Sequence, residues 1–86
     1  MGIISAKIID GYAMLIGFYD GKLVLFDFSR YENEFYFEVI RDNFKEYFIE
    51  NGSLWFGDYI GIDPETIYQE GVIVSEKMQK ALDKIA

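Results

Sequence analysis

Three pairs, Asp10-Gly11, Asp20-Gly21 and Asn51-Gly52, each fall between runs of β-prone apolar residues. Asp or Asn followed by Gly is the strongest short-range hairpin signal. Tight primed turns need φ > 0 at their centre, and these residues reach it at little cost. The first two pairs separate Ile3–Ile9, Tyr12–Tyr19 and Lys22–Phe28, which predicts a three-stranded meander. In the third run Leu23 and Leu25 alternate with Val24, Phe26 and Phe28, so both faces are apolar. That pattern fits a central strand or one covered on both sides. The third pair predicts a second hairpin, Phe44–Glu50 with Ser53–Phe56.

The remaining segments carry helix signals. Ser29 with Glu32 three residues later matches a capping box, which predicts a short helix toward Arg41 with Tyr31, Phe35 and Val39 on one face. The triplet Phe35-Tyr36-Phe37 in the same stretch prefers strand. Residues 57–62 read as a turn and a short extended piece. Asp63-Pro64-Glu65 combines an N-cap, a proline at the first helical position and an acid in the first turn. Gly71 is the expected stop of that helix. A last helix is expected from a Ser75 cap to about Ile85, with Val74, Met78, Leu82 and Ile85 as an apolar stripe. So short a helix needs tertiary or partner contacts to persist.

These elements predict an α+β fold: a small antiparallel sheet (three-stranded meander plus a second hairpin), a short mid-chain helix and C-terminal helices. The 86 residues suit one domain. Residues 1–70 are expected to form its core and residues 71–86 a helix packed on that core or on a partner. A hydrophobic fraction of 51%, with 19% aromatic, supplies the material for a core and argues against disorder.

The chain holds no His and no Cys. Ser-His-acid and Cys-His catalysis, tetrahedral zinc sites and disulfides are therefore excluded. Carboxylate pairs such as Asp58 with Asp63, or Glu32 with Glu34 and Glu38, occur by chance in a chain with fifteen acids. Asp58, Asp63 and Glu65 offer oxygen ligands, but not at the spacing of a calcium loop, and Asp63 already serves as a cap. No phosphate-binding loop is present. The expectation is a protein that is not an enzyme, with no cofactor and no metal. No apolar run is long enough to span a bilayer, and Met1–Ile9 lacks the pattern of a signal peptide, so a cytoplasmic address without membrane contact is expected.

Charge is unevenly placed. Residues 31–70 hold ten acids against two bases, whereas residues 1–30 balance at three of each. Such a segment repels phosphate backbones and anionic lipid, so direct nucleic-acid binding is not expected, and a basic protein partner is favoured. Glu34, Glu38, Asp42, Glu46 and Glu50 are candidates for steering such a partner. Trp55 is either a core anchor or an interface hot spot. Met78 and Leu82 are candidates through the C-terminal stripe. Three alternatives stay open: acids that only keep the protein in solution, a mimic of nucleic acid inhibiting a nucleic-acid-binding enzyme, and a homo-oligomer formed through an edge strand.

Leu15-Ile16-Gly17-Phe18-Tyr19-Asp20-Gly21-Lys22 with Asp27, then Asn51-Gly52, Leu54-Trp55 and Ile62-Asp63-Pro64-Glu65-Thr66-Ile67-Tyr68, together resemble the bacterial family called domain of unknown function 2442. The likeness covers roughly residues 3–70. Here Phe56–Gly61 lacks the proline usual between the tryptophan and the closing aspartate. Some members carry a helix-turn-helix domain, for which this chain has no room. The resemblance implies a small α+β fold without an established activity. It also implies a gene arrangement beside a second small family, domain of unknown function 4160, like that of a toxin–antitoxin pair. By analogy, the chain would be an acidic, antitoxin-like or regulatory partner of a small basic protein.

Overall fold

The structure, a computed structural model, describes residues 2–85. Strands β1 (Ile3–Asp10), β2 (Ala13–Phe18) and β3 (Leu23–Asp27) form the expected meander. Helix α1 (Phe37–Asp42) follows, then β4 (Phe48–Glu50), β5 (Ser53–Phe56) and β6 (Ile60–Ile62). Helix α2 (Pro64–Glu70), β7 (Val72–Ile73) and helix α3 (Glu76–Ile85) complete the described chain. Two antiparallel sheets result, in the orders β1-β2-β3-β7 and β4-β5-β6. The α+β class is as the sequence predicts. β3 is interior, with β2 on one side and β7 on the other.

The Asn51-Gly52 turn carries φ of 52° and 78° at its two centres, the left-handed pair that a type I′ hairpin requires. In the first hairpin the ladder reaches Asp10↔Ala13, so Gly11 and Tyr12 are the turn residues. The turn thus sits one residue later than the Asp-Gly signal places it. Gly11, at φ 52°, takes the first central position while Asp10 stays in the strand.

Residues 28–47 depart most from expectation. No helix runs from Ser29 to Arg41. Asp27 is the cap instead: its Oδ1 accepts from the Ser29 amide at 2.9 Å and closes a single 3₁₀ turn, Phe28–Tyr31. The helix starts only at Phe37. The expected face of Tyr31, Phe35 and Val39 is not the packed one, because Phe35 is 94% exposed. Phe37, Ile40 and Phe44 face the core, spaced i, i+3 and i+7. Burying Phe28 and Ile40 together requires the chain to turn between them. Phe44–Glu50 is likewise not one strand. Phe44–Glu46 is a 3₁₀ turn that lays the Phe44 ring parallel to Phe56, centroids 5.5 Å apart, and the strand begins at Phe48.

The core forms where the inner faces of the sheets meet α1 and α2. Met14, Ile16, Phe18, Val24, Phe26, Phe28, Ile40, Leu54, Phe56 and Ile67 pack there in one cluster. Its rings meet edge to face: Phe26 and Phe28 at 4.8 Å, Phe28 and Phe56 at 5.2 Å. Each such side chain contributes roughly 1.5–3 kcal/mol by leaving water.

Of the three helix-start signals, the two later ones hold. Asp63 Oδ1 accepts from the Glu65 amide at 2.9 Å, and Ser75 Oγ accepts from Met78 at 3.2 Å. Gly71 ends α2 for a reason other than the expected one. Its φ is −80°, open to any residue, but a Cβ there would fall 2.8 Å from the Ile67 carbonyl and 3.0 Å from that of Leu25. Glycine is needed for the close approach of α2 to β3. The two-residue strand β7, for which the sequence gives no expectation, follows at once.

At the start of the described chain, the Ile3 amide donates to the Gly52 carbonyl, and the Gly2 carbonyl accepts from Tyr19, both at 2.9 Å. The Tyr47 hydroxyl donates to the Ala6 carbonyl at 2.7 Å. The Ile3–Gly52 and Tyr47–Ala6 bonds seam β1 to the second hairpin, while Gly2–Tyr19 extends the pairing of β1 with β2.

Candidate protein-interaction surface

All ten acids of residues 31–70 are exposed, and among the described residues no charged side chain is buried. Glu34 lies in the turn before α1, Glu38 in its first turn and Asp42 at its end. Glu46 closes the 3₁₀ turn, and Glu50 ends β4. The two bases of the segment do little to offset them. Arg41 donates to Asp42 at 3.0 Å, and that bond holds its guanidinium more firmly protonated than usual. Asp42 and Glu46 share the rim of a 480 Å³ cavity with Arg41, Lys45, Tyr12 and Phe44. Nearby burial raises the Tyr31 and Tyr36 hydroxyls above their ordinary pKa, so both stay neutral donors at physiological pH.

Trp55 matches neither sequence alternative outright. It is half-buried on the outer face of β5, while its neighbours Leu54 and Phe56 are fully buried. Its six-membered ring lies against Gly61 on β6, where a Cβ would come within 2.9 Å of it. Its indole N–H donates to the Glu50 carbonyl at 3.3 Å. Across the ladder, Phe48 runs parallel to it within 13°, centroids 6.5 Å apart. The structure therefore brings Glu50 and Trp55 together on one outer face.

Other surface rings escape the sequence reading. Phe35 meets Tyr36 edge to face at 5.4 Å, and Tyr36 and Tyr59 line a 160 Å³ cavity with Ile60, Gly61 and Ile62. A second cavity, 260 Å³, lies between Trp55, Ser53, Gly61, Ile62, Asp63 and Pro64. The triplet Phe35-Tyr36-Phe37 was the available signal, but alternation alone does not say which of its rings turns outward.

Met78 and Leu82 sit apart from this face, on α3. That helix buries none of its residues; Leu82 is half-buried and Met78 is 41% exposed. Val74, just before it, is buried. Elsewhere, Arg30 pairs with Glu70 at 2.7 Å above the Phe26 ring. The Tyr68 hydroxyl donates to Asp20 at 2.7 Å. The Lys22 amide, with Tyr68 second, holds the Asp20 carboxyl below its ordinary pKa.

Among the described residues, no three acidic side chains converge as a metal site, and no helix is long and apolar enough to cross a membrane. Comparison of the chain with protein-family models, curated proteins and solved structures finds no match.

Proposed function

We propose that this protein is a non-catalytic interaction module that binds a small basic protein, in the antitoxin-like or regulatory role implied by its resemblance to domain of unknown function 2442. One observation carries this reading: the ten acids of residues 31–70 are all exposed, and the same segment turns Phe35, Phe48, Trp55 and Tyr59 at least partly outward. Acids steer a basic partner, and exposed rings supply the contact area that holds it. Scattered single hydrophobics on a surface need no explanation, whereas the paired Phe48 and Trp55 rings do.

The test is capture of the tagged protein's partner from its host, washed at low and high salt, followed by rate measurements with the purified pair. One stoichiometric basic protein is expected, with an association rate that falls steeply as salt is added. A variant combining Glu34→Gln, Glu38→Gln and Glu46→Gln is expected to associate more slowly. An unchanged rate in that variant would overturn the reading.

A further inference from the structure

Antiparallel strands alternate the direction of their peptide groups, so the phase of the second sheet follows from its turn. A two-residue hairpin makes Glu50↔Ser53 a hydrogen-bonded closing pair. Leu54 and Phe56 therefore direct their N–H and C=O groups toward β6, where Ile62 and Ile60 lie opposite them. Gly61, opposite Trp55, is left with its N–H and C=O pointing away from β5. Gly61 is exposed, and among the described residues no strand pairs with this edge of β6. The free edge of β1 differs: the Tyr47 hydroxyl and Gly52 cover part of it.

The two cavities described above flank this edge, and both are lined by Gly61 and Ile62. One is lined by Trp55 and Asp63, whose Oδ1 also caps α2; the other by Tyr36, Tyr59 and Ile60. A strand laid beside β6 sends successive side chains to opposite faces, and hence into the two cavities in turn. No lysine or arginine occurs between Lys45 and Lys77, while Asp58, Asp63 and Glu65 border β6 and are exposed. Every charged residue from 57 to 65, the stretch that holds β6, is acidic.

We propose that the free edge of β6 is a strand-addition site for an extended segment of a basic protein, with a cationic side chain on the Trp55–Asp63 side and an apolar one on the Tyr36–Tyr59 side. Main-chain bonds to Gly61 set the register. The indole face and the Asp63 carboxylate select the cation. The proposal rests on the basic-partner reading and locates it.

The probe is a short synthetic peptide of alternating arginine and valine, titrated into the isotopically labelled protein and followed by NMR. A scrambled peptide of the same composition and a glutamate–valine peptide serve as controls. Shift changes are expected at the Gly61 amide, Ile60, Ile62 and the Trp55 indole, with slower amide exchange at Gly61. Asp63→Asn keeps the cap oxygen and is expected to weaken binding about three- to tenfold. Tyr59→Ser, at an exposed position, is expected to weaken binding without altering the unfolding curve. Changes confined to residues 34–46 with Gly61 unmoved would overturn the edge site while leaving the basic-partner reading intact. Equal binding of either control, or no binding at millimolar peptide, would also overturn it. So would a doubled mass with Gly61 already protected in the free protein, since a second copy would then occupy the edge.

Discussion

Trp55 and Phe56 are adjacent on β5, yet one ring lies half in solvent and the other is fully buried. The same division runs through the whole aromatic set. Phe18, Phe26, Phe28 and Phe56 are enclosed in one cluster, while Phe35, Tyr19 and Tyr59 are more than four-fifths exposed. Burial of the enclosed set stabilises the fold, while the exposed set gains little by it. The inner face accounts for folding, and the outer rings are the ones the proposed partner would contact. Substitutions on the two faces are therefore expected to separate stability from binding.

The largest effect belongs to the inner face. Phe28→Ala is expected to cost about 3–5 kcal/mol, a large share of the stability of so small a domain, measured by urea unfolding. A loss below about 1 kcal/mol would mean that the buried rings are not what holds the sheets together. Next come two glycines that test backbone against side-chain neighbours. Gly71→Ala drives a Cβ toward the carbonyls of Ile67 and Leu25 and is expected to cost about 1–3 kcal/mol. In Gly61→Ala the atoms nearest the new Cβ belong to the half-buried Trp55 ring, a side chain that can give by shifting outward, so a loss under about 1 kcal/mol is expected with a red-shifted tryptophan emission. Equal costs would show that Trp55 is as fixed as a core residue. Phe35→Ser is expected to leave stability within about 0.5 kcal/mol while measurably speeding partner release.

The smallest effect is the pH dependence of the Asp20–Tyr68 contact. Because the Asp20 carboxyl is held below its ordinary pKa, the contact contributes above about pH 4 and fades as the pH falls through the lowered value. Asp20→Asn is expected to flatten the acid limb of the stability profile slightly. An unchanged profile would place the coupling elsewhere.

How much of this was legible in the sequence depends on whether a residue's role is local. The hairpin at Asn51-Gly52 and the caps at Asp63 and Ser75 are local: a dihedral or one hydrogen bond decides them. The stretch from Phe28 to Tyr47 is not. Its rings fit a helix on either of two faces, and the choice of Phe37, Ile40 and Phe44 is made by Phe56 and Tyr12, which lie far away in sequence. β7 was illegible because two residues carry no period. Of the candidate site, the acids and Trp55 are legible in the sequence. The exposed edge at Gly61 is not, since an edge is defined by the strand that is missing beside it.

The seam between Ile3 and Gly52 has a kinetic consequence. The meander and the second sheet each close through neighbours in sequence, and such contacts form early because little chain must be ordered to make them. Joining residue 3 to residue 52 is a long closure, matched in span by the pairing of residue 24 with residue 73, so docking the first strand onto the second hairpin is one of two steps expected to set the folding rate. The Ile3 amide would then acquire exchange protection after those of β2 and β3, in the last phase of refolding.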